Sequence, residues 1–285
     1  MKLSRDDADL FVPDGAGIDE ALARTTHLAI GAHQDDLEFM ALHGILECVG
    51  RPDRWFTGVT VTDGSGSPRS GPYADHSDRQ MQELRIEEQR RAASLGRYGC
   101  QIQLMHPSAV VKDPESTATV DDLVTVLEHT RPTTVYLHNP ADKHDTHVAC
   151  CLRSIEALRR LPAASRPAVV YGCEIWRDLD WLVDADKRVL PLDDPDNLGL
   201  TLAAVFDSQI AGGKRYDLAV QGRRLAHATF FESHAVDRHG LVNFAMDLTP
   251  LVADSTLDVG SFTARLVDAL RHDAEARIAK LTRRG

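Results

Sequence analysis

The chain has 285 residues, 43% of them hydrophobic, and a formal net charge of -11 from 32 basic and 43 acidic residues. That hydrophobic fraction supports a sizeable core and argues against a disordered chain. The acidic balance argues against a general nucleic-acid or anionic-membrane binder, since either needs a basic surface.

The five cysteines, Cys48, Cys100, Cys150, Cys151 and Cys173, are scattered and form no C-x-x-C pair. They read as reduced thiols of a cytoplasmic protein. The opening Met1-Lys2-Leu3-Ser4-Arg5-Asp6-Asp7 has no apolar signal core, and no later segment approaches 18 apolar residues. No membrane contact is expected.

Residues 1–26 are polar and read as an entering arm. Residues 27–33 read as a short buried strand, and 37–48 as a helix with apolar groups at Leu37, Met40, Ala41, Ile45 and Cys48. A strand follows at 56–62. The Gly-, Ser- and Pro-rich run 63–72 is a loop. A charged amphipathic helix spans 79–95, with Gly96 as its C-cap. Then come a strand at 101–105, a helix at 119–129 stopped by Pro132, a strand at 133–138, a helix at 147–160 and a fifth strand at 168–173. Strand and helix alternate to residue 173, which implies a mostly parallel α/β sheet with helices on both faces. Beyond it, 174–200 reads as loops with a short strand, 199–227 as helical and 262–282 as a terminal amphipathic helix. Nothing forces a second domain, so 1–285 reads as one.

In a parallel α/β sheet, ligands bind at the carboxyl ends of the strands, near the point where strand order reverses. His33 closes the first strand, and Asp35 and Asp36 sit in the turn after it. His138 closes the fourth strand, and His144 and His147 follow. Both clusters therefore stand at one edge of the sheet. Two histidines and a carboxylate make a catalytic zinc site with an open fourth position, and His33, Asp36 and His147 are the natural set. Asp35 is then a general base beside the metal water. His144, if protonated, stabilises an oxyanion or donates a proton. Taken singly, each residue has a plainer reading: a hydrogen-bonded strand-end histidine, a helix N-cap, a solvated acid.

These residues resemble a known family. Ala32-His33-Gln34-Asp35-Asp36-Leu37-Glu38 is similar to the A-H-P-D-D-x-E signature of the PIG-L/LmbE-like zinc-dependent de-N-acetylases, and Asp142-Lys143-His144-Asp145-Thr146-His147 to that family's D-x-H-x-D-H motif. Val61-Thr62-Asp63-Gly64, Arg85-Ile86-Glu87-Glu88 and Ala92-Ala93-Ser94-Leu95-Gly96 resemble intervening family motifs. The resemblance implies a Rossmann-like fold and removal of an N-acetyl group from an N-acetylglucosamine-type sugar or conjugate. It also implies zinc on His33, Asp36 and His147, with Asp35 as base and His144 as oxyanion stabiliser or general acid. The motif core then covers about 27–173, and 174–285 is a substrate-side extension. Other divalent ions, such as Fe2+, suit the same donors.

Two positions depart from the family pattern. Gln34 stands for Pro, in a turn position that supplies no ligand. Thr146 stands for an Asp that would orient or charge a histidine, and Asp142 or Asp145 is the candidate replacement. Outside the motifs, Trp176 and Arg177 follow the fifth strand and suit sugar binding, with Arg85 as a further substrate contact. Asp207-Ser208-Gln209, Gly212-Gly213-Lys214-Arg215-Tyr216 and Arg223-Arg224 form a local basic patch that reads as a solvated helix face, an anion subsite or a subunit contact. Competing readings are an amidohydrolase for a small non-sugar amide and a non-catalytic Rossmann-like binding protein. A homo-oligomer stays open.

Overall fold

The computed structural model describes residues 1–194 and 197–282. The segment read as an entering arm holds β1 (Asp9–Phe11) and α1 (Ile18–Ala23), and β2 (His27–Gly31) follows. The helix expected over 37–48 is two short ones, α2 (Asp36–Met40) and α3 (Leu42–Cys48), broken at Ala41. The break has a partner from far along the chain. Arg224 Nη2 donates to Glu38 O at 2.9 Å and Phe39 O at 3.0 Å, which satisfies the carbonyls at the end of α2. Arg224 is thus 2% exposed and no part of a basic surface patch.

β3 (Phe56–Thr62) is as expected, and α4 (Asp78–Leu95) opens on a capping box between Ser77 and Gln80. Gly96 is its C-cap, as expected. Gly96 keeps φ −76°, and Arg97 takes the left-handed turn at φ 51°. What Gly96 supplies is room, since a Cβ there would lie 2.5 Å from the Tyr98 ring. β4 (Cys100–His106), α5 (Ser108–Lys112), α6 (Ala118–Thr130), β5 (Thr134–His138), α7 (Asp145–Arg160), β6 (Val169–Cys173) and β7 (Arg188–Pro191) follow. The helical stretch expected over 199–227 is α8 (Leu198–Ala204), α9 (Asp207–Ile210) and α10 (Tyr216–Phe230). The second break falls at Gly212-Gly213, where Gly213 takes φ 101°. The chain closes with β8 (Val242–Asp247), α11 (Thr249–Ala253) and α12 (Val259–Thr282).

One eight-stranded sheet runs in the order β1-β4-β3-β2-β5-β6-β8-β7. The five strands β4, β3, β2, β5 and β6 are parallel, and the additions at either edge are antiparallel. Successive residues of β2 feed two cores, Leu28 and Ile30 on one face and Ala29 on the other, as strand periodicity requires. The connections from β2 leave toward β3 on one side, and β5 pairs on the other, so the order reverses between β2 and β5. The crevice at their carboxyl ends is where His33 and His138 emerge. Among the described residues, no helix is long and apolar enough to cross a membrane.

Candidate metal centre and active site

The turn after β2 and the turn after β5 bring three imidazoles, those of His33, His138 and His147, within 3.5 Å of the Asp36 carboxylate, with His144 beside them. His33 Nδ1 lies 3.1 Å from His147 Nε2 and 3.3 Å from Asp36 Oδ2, and His147 Nε2 lies 3.5 Å from Asp36 Oδ1. Two ring nitrogens face each other at 3.1 Å, an arrangement that one N–H can bridge as a hydrogen bond or that a cation can bridge when both present lone pairs. Donors bound tetrahedrally at about 2.0–2.1 Å lie roughly 3.3–3.4 Å apart. These separations, with the two histidines meeting different Asp36 oxygens, lie near that edge, so the donor types and spacing suit a small divalent ion. His33, His144 and His147 form one compact donor group, and Asp36, His138 and His147 another.

Asp36 is fixed by the His33 N–H at 2.7 Å. Burial works against its charge, but His147 and His138 beside it hold its carboxyl well below the usual range. Burial pulls His147 down to about 4, which leaves it neutral and able to bind a metal. His138 was seen in the sequence only as the end of a strand. It is fully buried, accepts the Ala32 N–H at Nε2 (2.9 Å), reaches Asp36 Oδ2 at 3.2 Å and stacks on His147 with centroids 4.0 Å apart.

Asp35 stands beside this group in a left-handed conformation, φ 96°. Such a backbone is strained for a non-glycine residue and persists only where its surroundings hold it. Here α4 does so. Gln89 Oε1 accepts the Asp35 N–H at 3.3 Å, and Arg85 donates from Nη2 to Gln34 O and pairs with Asp35 Oδ2 at 3.2 Å. Burial raises the Asp35 carboxyl to about 7, against the opposing pull of Arg85. Gln89 in turn donates to Glu38 Oε1 at 2.8 Å, which also accepts the Tyr98 hydroxyl at 2.7 Å. Arg85 pairs with Glu88 at 3.2 Å, as their i, i+3 spacing allows. The pair is buried, not a surface one.

His144 precedes α7 at the mouth of the site, its ring 5.1 Å from that of His33. Burial, and then His33, lower its pKa, which works against the imidazolium considered from the sequence. Its Nδ1 is buried with no partner among the described residues, as expected where Thr146 replaces an acid. Asp142 does not reach that ring. Its Oδ2 meets His147 Nδ1 at 3.3 Å, and its Oδ1 accepts the His144 backbone N–H at 3.2 Å. Asp145 is exposed at the rim.

A cavity of about 710 Å³ opens above these groups, lined by His33, Asp35, Asp36, Arg85 and His144 and by Phe39, Trp176 and Tyr216. The Trp176 ring lies 6.0 Å from His144, nearly parallel at 24°, and stands edge-on to Tyr216 at 6.1 Å. Gly64, Gly66, Ser67 and Pro68 form part of the rim. Arg177 does not line the cavity. Its side chain is exposed, and only its backbone N–H turns inward, to Asp142 Oδ1 at 3.3 Å. Tyr216 and Ser208 come from the stretches read in the sequence as a local basic patch, whose Gln209 and Arg223 also line the cavity, and Gln89 lies one turn after Arg85 on α4.

Residues 28–158 match the family model described as PIG-L, GlcNAc-PI de-N-acetylase. No match was found among curated proteins. Among solved structures, the fold is similar to N,N'-diacetylchitobiose deacetylase from Pyrococcus horikoshii, at 16% identity and a TM-score of 0.59 over 77% of this chain and 83% of that one. It is similar to the 4-carboxy-2-hydroxymuconate hydratase GalB from Pseudomonas putida KT2440, at 15% identity and 0.58 over 79% and 96%. It is also similar to the A40926 pseudoaglycone deacetylase Dbv21, at 16% identity and 0.58 over 79% and 97%. At these identities the likeness establishes the α/β fold and leaves the chemistry to the site.

Proposed function

We propose that this chain, whose residues 28–158 belong to the PIG-L family, is a zinc-dependent de-N-acetylase acting on an N-acetylglucosamine-type sugar or conjugate. The observation that carries the reading is the meeting of His33, Asp36 and His147, with nearest ring nitrogens and carboxylate oxygens 3.1–3.5 Å apart, and Asp35 in its strained left-handed turn alongside. The match to the family model described as a GlcNAc-PI de-N-acetylase supports the reaction class.

His33, Asp36 and His147 would hold the ion. When bound, zinc lowers the pKa of a coordinated water toward about 7 and polarises the amide carbonyl. Asp35, raised to about 7 by burial, takes a proton from the attacking water and returns it to the departing amine nitrogen. Arg85 fixes that carboxylate and keeps it ionised often enough to act. His144 offers a ring N–H to the carbonyl oxygen as negative charge develops there. Phe39, Trp176 and Tyr216 give the cavity an aromatic wall suited to the apolar face of a sugar. A space of about 710 Å³ accommodates far more than a simple acetamide.

The test is acetate release by zinc-loaded protein from N-acetylglucosamine conjugates and from simple acetamides, with metal content measured in parallel. Hydrolysis of the conjugates alone supports the reading. Equal hydrolysis of both classes would move the substrate to a small amide, and no hydrolysis by protein holding stoichiometric zinc would leave a binding protein.

A further inference from the structure

Ser208 lies on α9, about fifty residues beyond the segment that matches the family model. Its side chain is fully buried, and each of its hydrogen-bonding positions is used. The hydroxyl donates to Glu88 Oε2 at 2.7 Å and accepts from Arg85 Nη1 at 3.3 Å and Gln209 Nε2 at 3.2 Å. The Ser208 N–H donates to the other Glu88 oxygen at 2.8 Å. Glu88 in turn accepts from Arg85 Nη1 at 3.2 Å. The opposite arm of the same guanidinium holds Asp35 Oδ2 at 3.2 Å and the Gln34 carbonyl.

Arg85 Nε has no partner among the described residues. The plane of the guanidinium is therefore set by its two Nη groups, and Ser208 with Glu88 holds one of them. Phe206 packs over the same group, its ring centroid 5.6 Å from Cζ. Asp35 cannot fix itself, because its left-handed backbone is strained.

We propose that Ser208 is a positioning residue, acting through Arg85 on the carboxylate of Asp35. The inference rests on the de-N-acetylase reading for its catalytic half. It gives the C-terminal segment a task in the reaction, since α9 closes the cage around the group that orients the base. Alanine at 208 keeps the backbone bond to Glu88 but removes the hydroxyl contacts to Glu88, Arg85 and Gln209. Threonine keeps a hydroxyl.

The experiment compares Ser208→Ala and Ser208→Thr with wild type in the full zinc-loaded chain. It reads kcat, KM, zinc content and Tm, and by NMR the hydrogen exchange of the Arg85 Nε–H, assigned by its loss in Arg85→Lys. The expected result for Ser208→Ala is a kcat lowered about 10-fold by misplacement of the base, with KM and zinc content unchanged and faster Arg85 exchange. Ser208→Thr restores both. An unchanged kcat with unchanged exchange overturns the proposal. So does a kcat loss that tracks a fall in Tm or zinc, which marks a merely structural role. If wild type itself releases no acetate, the functional reading fails, and the exchange rate alone decides whether Ser208 holds Arg85.

Discussion

Asp142 Oδ2 lies 3.3 Å from His147 Nδ1, and both side chains are closed off from solvent. The contact fixes which ring nitrogen of His147 faces Asp36, because Nδ1–H donates to the Asp142 carboxylate and leaves Nε2 with its lone pair. The same carboxylate also accepts the Trp176 N–H at 3.3 Å, tying the loop after β6 to the loop after β5. Asp142→Asn should lower metal affinity by about 10- to 100-fold, as loss of an orienting carboxylate typically does. Competition with a chelator of known affinity measures this, and an unchanged affinity would remove Asp142 from the account.

Trp176 and Arg177 are neighbours with opposite expectations. The Trp176 ring faces the cavity and its backbone N–H is tied to Asp142, whereas the Arg177 side chain points to solvent. Trp176→Ala should raise KM for an N-acetylglucosamine conjugate roughly 2- to 10-fold through lost stacking, with kcat nearly kept. Arg177→Ala should change neither constant. Steady-state kinetics on the two variants separates them.

Glu38 ties the site to pH. Burial pushes its carboxyl up to about 7, from an ordinary value of 4.5. The folded chain therefore holds a proton that the unfolded chain has released over that window, and stability falls as pH rises from about 4.5 through 7. Above that range the full penalty is present, on the order of 3 kcal/mol. Glu38→Gln keeps an oxygen for the Tyr98 and Gln89 donors and cannot ionise. Denaturant unfolding at several pH values should show the variant gaining on wild type as pH rises from 5 to 8. A constant difference across that range would contradict the assignment.

Much of this was legible because the parallel strands are buried on both faces. Such strands read as short apolar runs, and β2, β3 and β5 stood out for that reason. A parallel sheet then fixes which ends carry ligands, so His33, Asp36 and His147 could be grouped before any coordinates. What sequence could not show is burial of charge. Arg224 and Arg85 look like surface residues on charged helices, yet each is enclosed by carbonyls and carboxylates from segments far away in the chain. Of the antiparallel additions, the short strand expected in 174–200 is β7, whereas β1 and β8 were missed for a similar reason. β1 has three residues, too few to show alternation, and β8 lies in a stretch whose partner β6 is about seventy residues earlier.

Thr146 shows how a substitution shifts a role without abolishing it. The sequence placed the question at His144, whose orienting acid is absent. In the structure Asp142 serves His147 instead, and His144 Nδ1 is left without a partner among the described residues. Thr146→Asp should supply an acceptor there and raise the His144 pKa, which NMR titration of the ring resonances measures in metal-loaded protein. A His144 pKa unmoved by the new carboxylate would place the two side chains out of reach.

The central claim is that three residues hold one ion while a fourth moves the proton. Bound zinc and acetate release, measured together on Asp35→Asn and His33→Ala, test it most directly. The account predicts that Asp35→Asn keeps one zinc per chain and loses about 10²- to 10⁴-fold in rate, while His33→Ala loses both. An Asp35→Asn protein that hydrolyses at the wild-type rate, or a His33→Ala protein that retains its zinc, would contradict it.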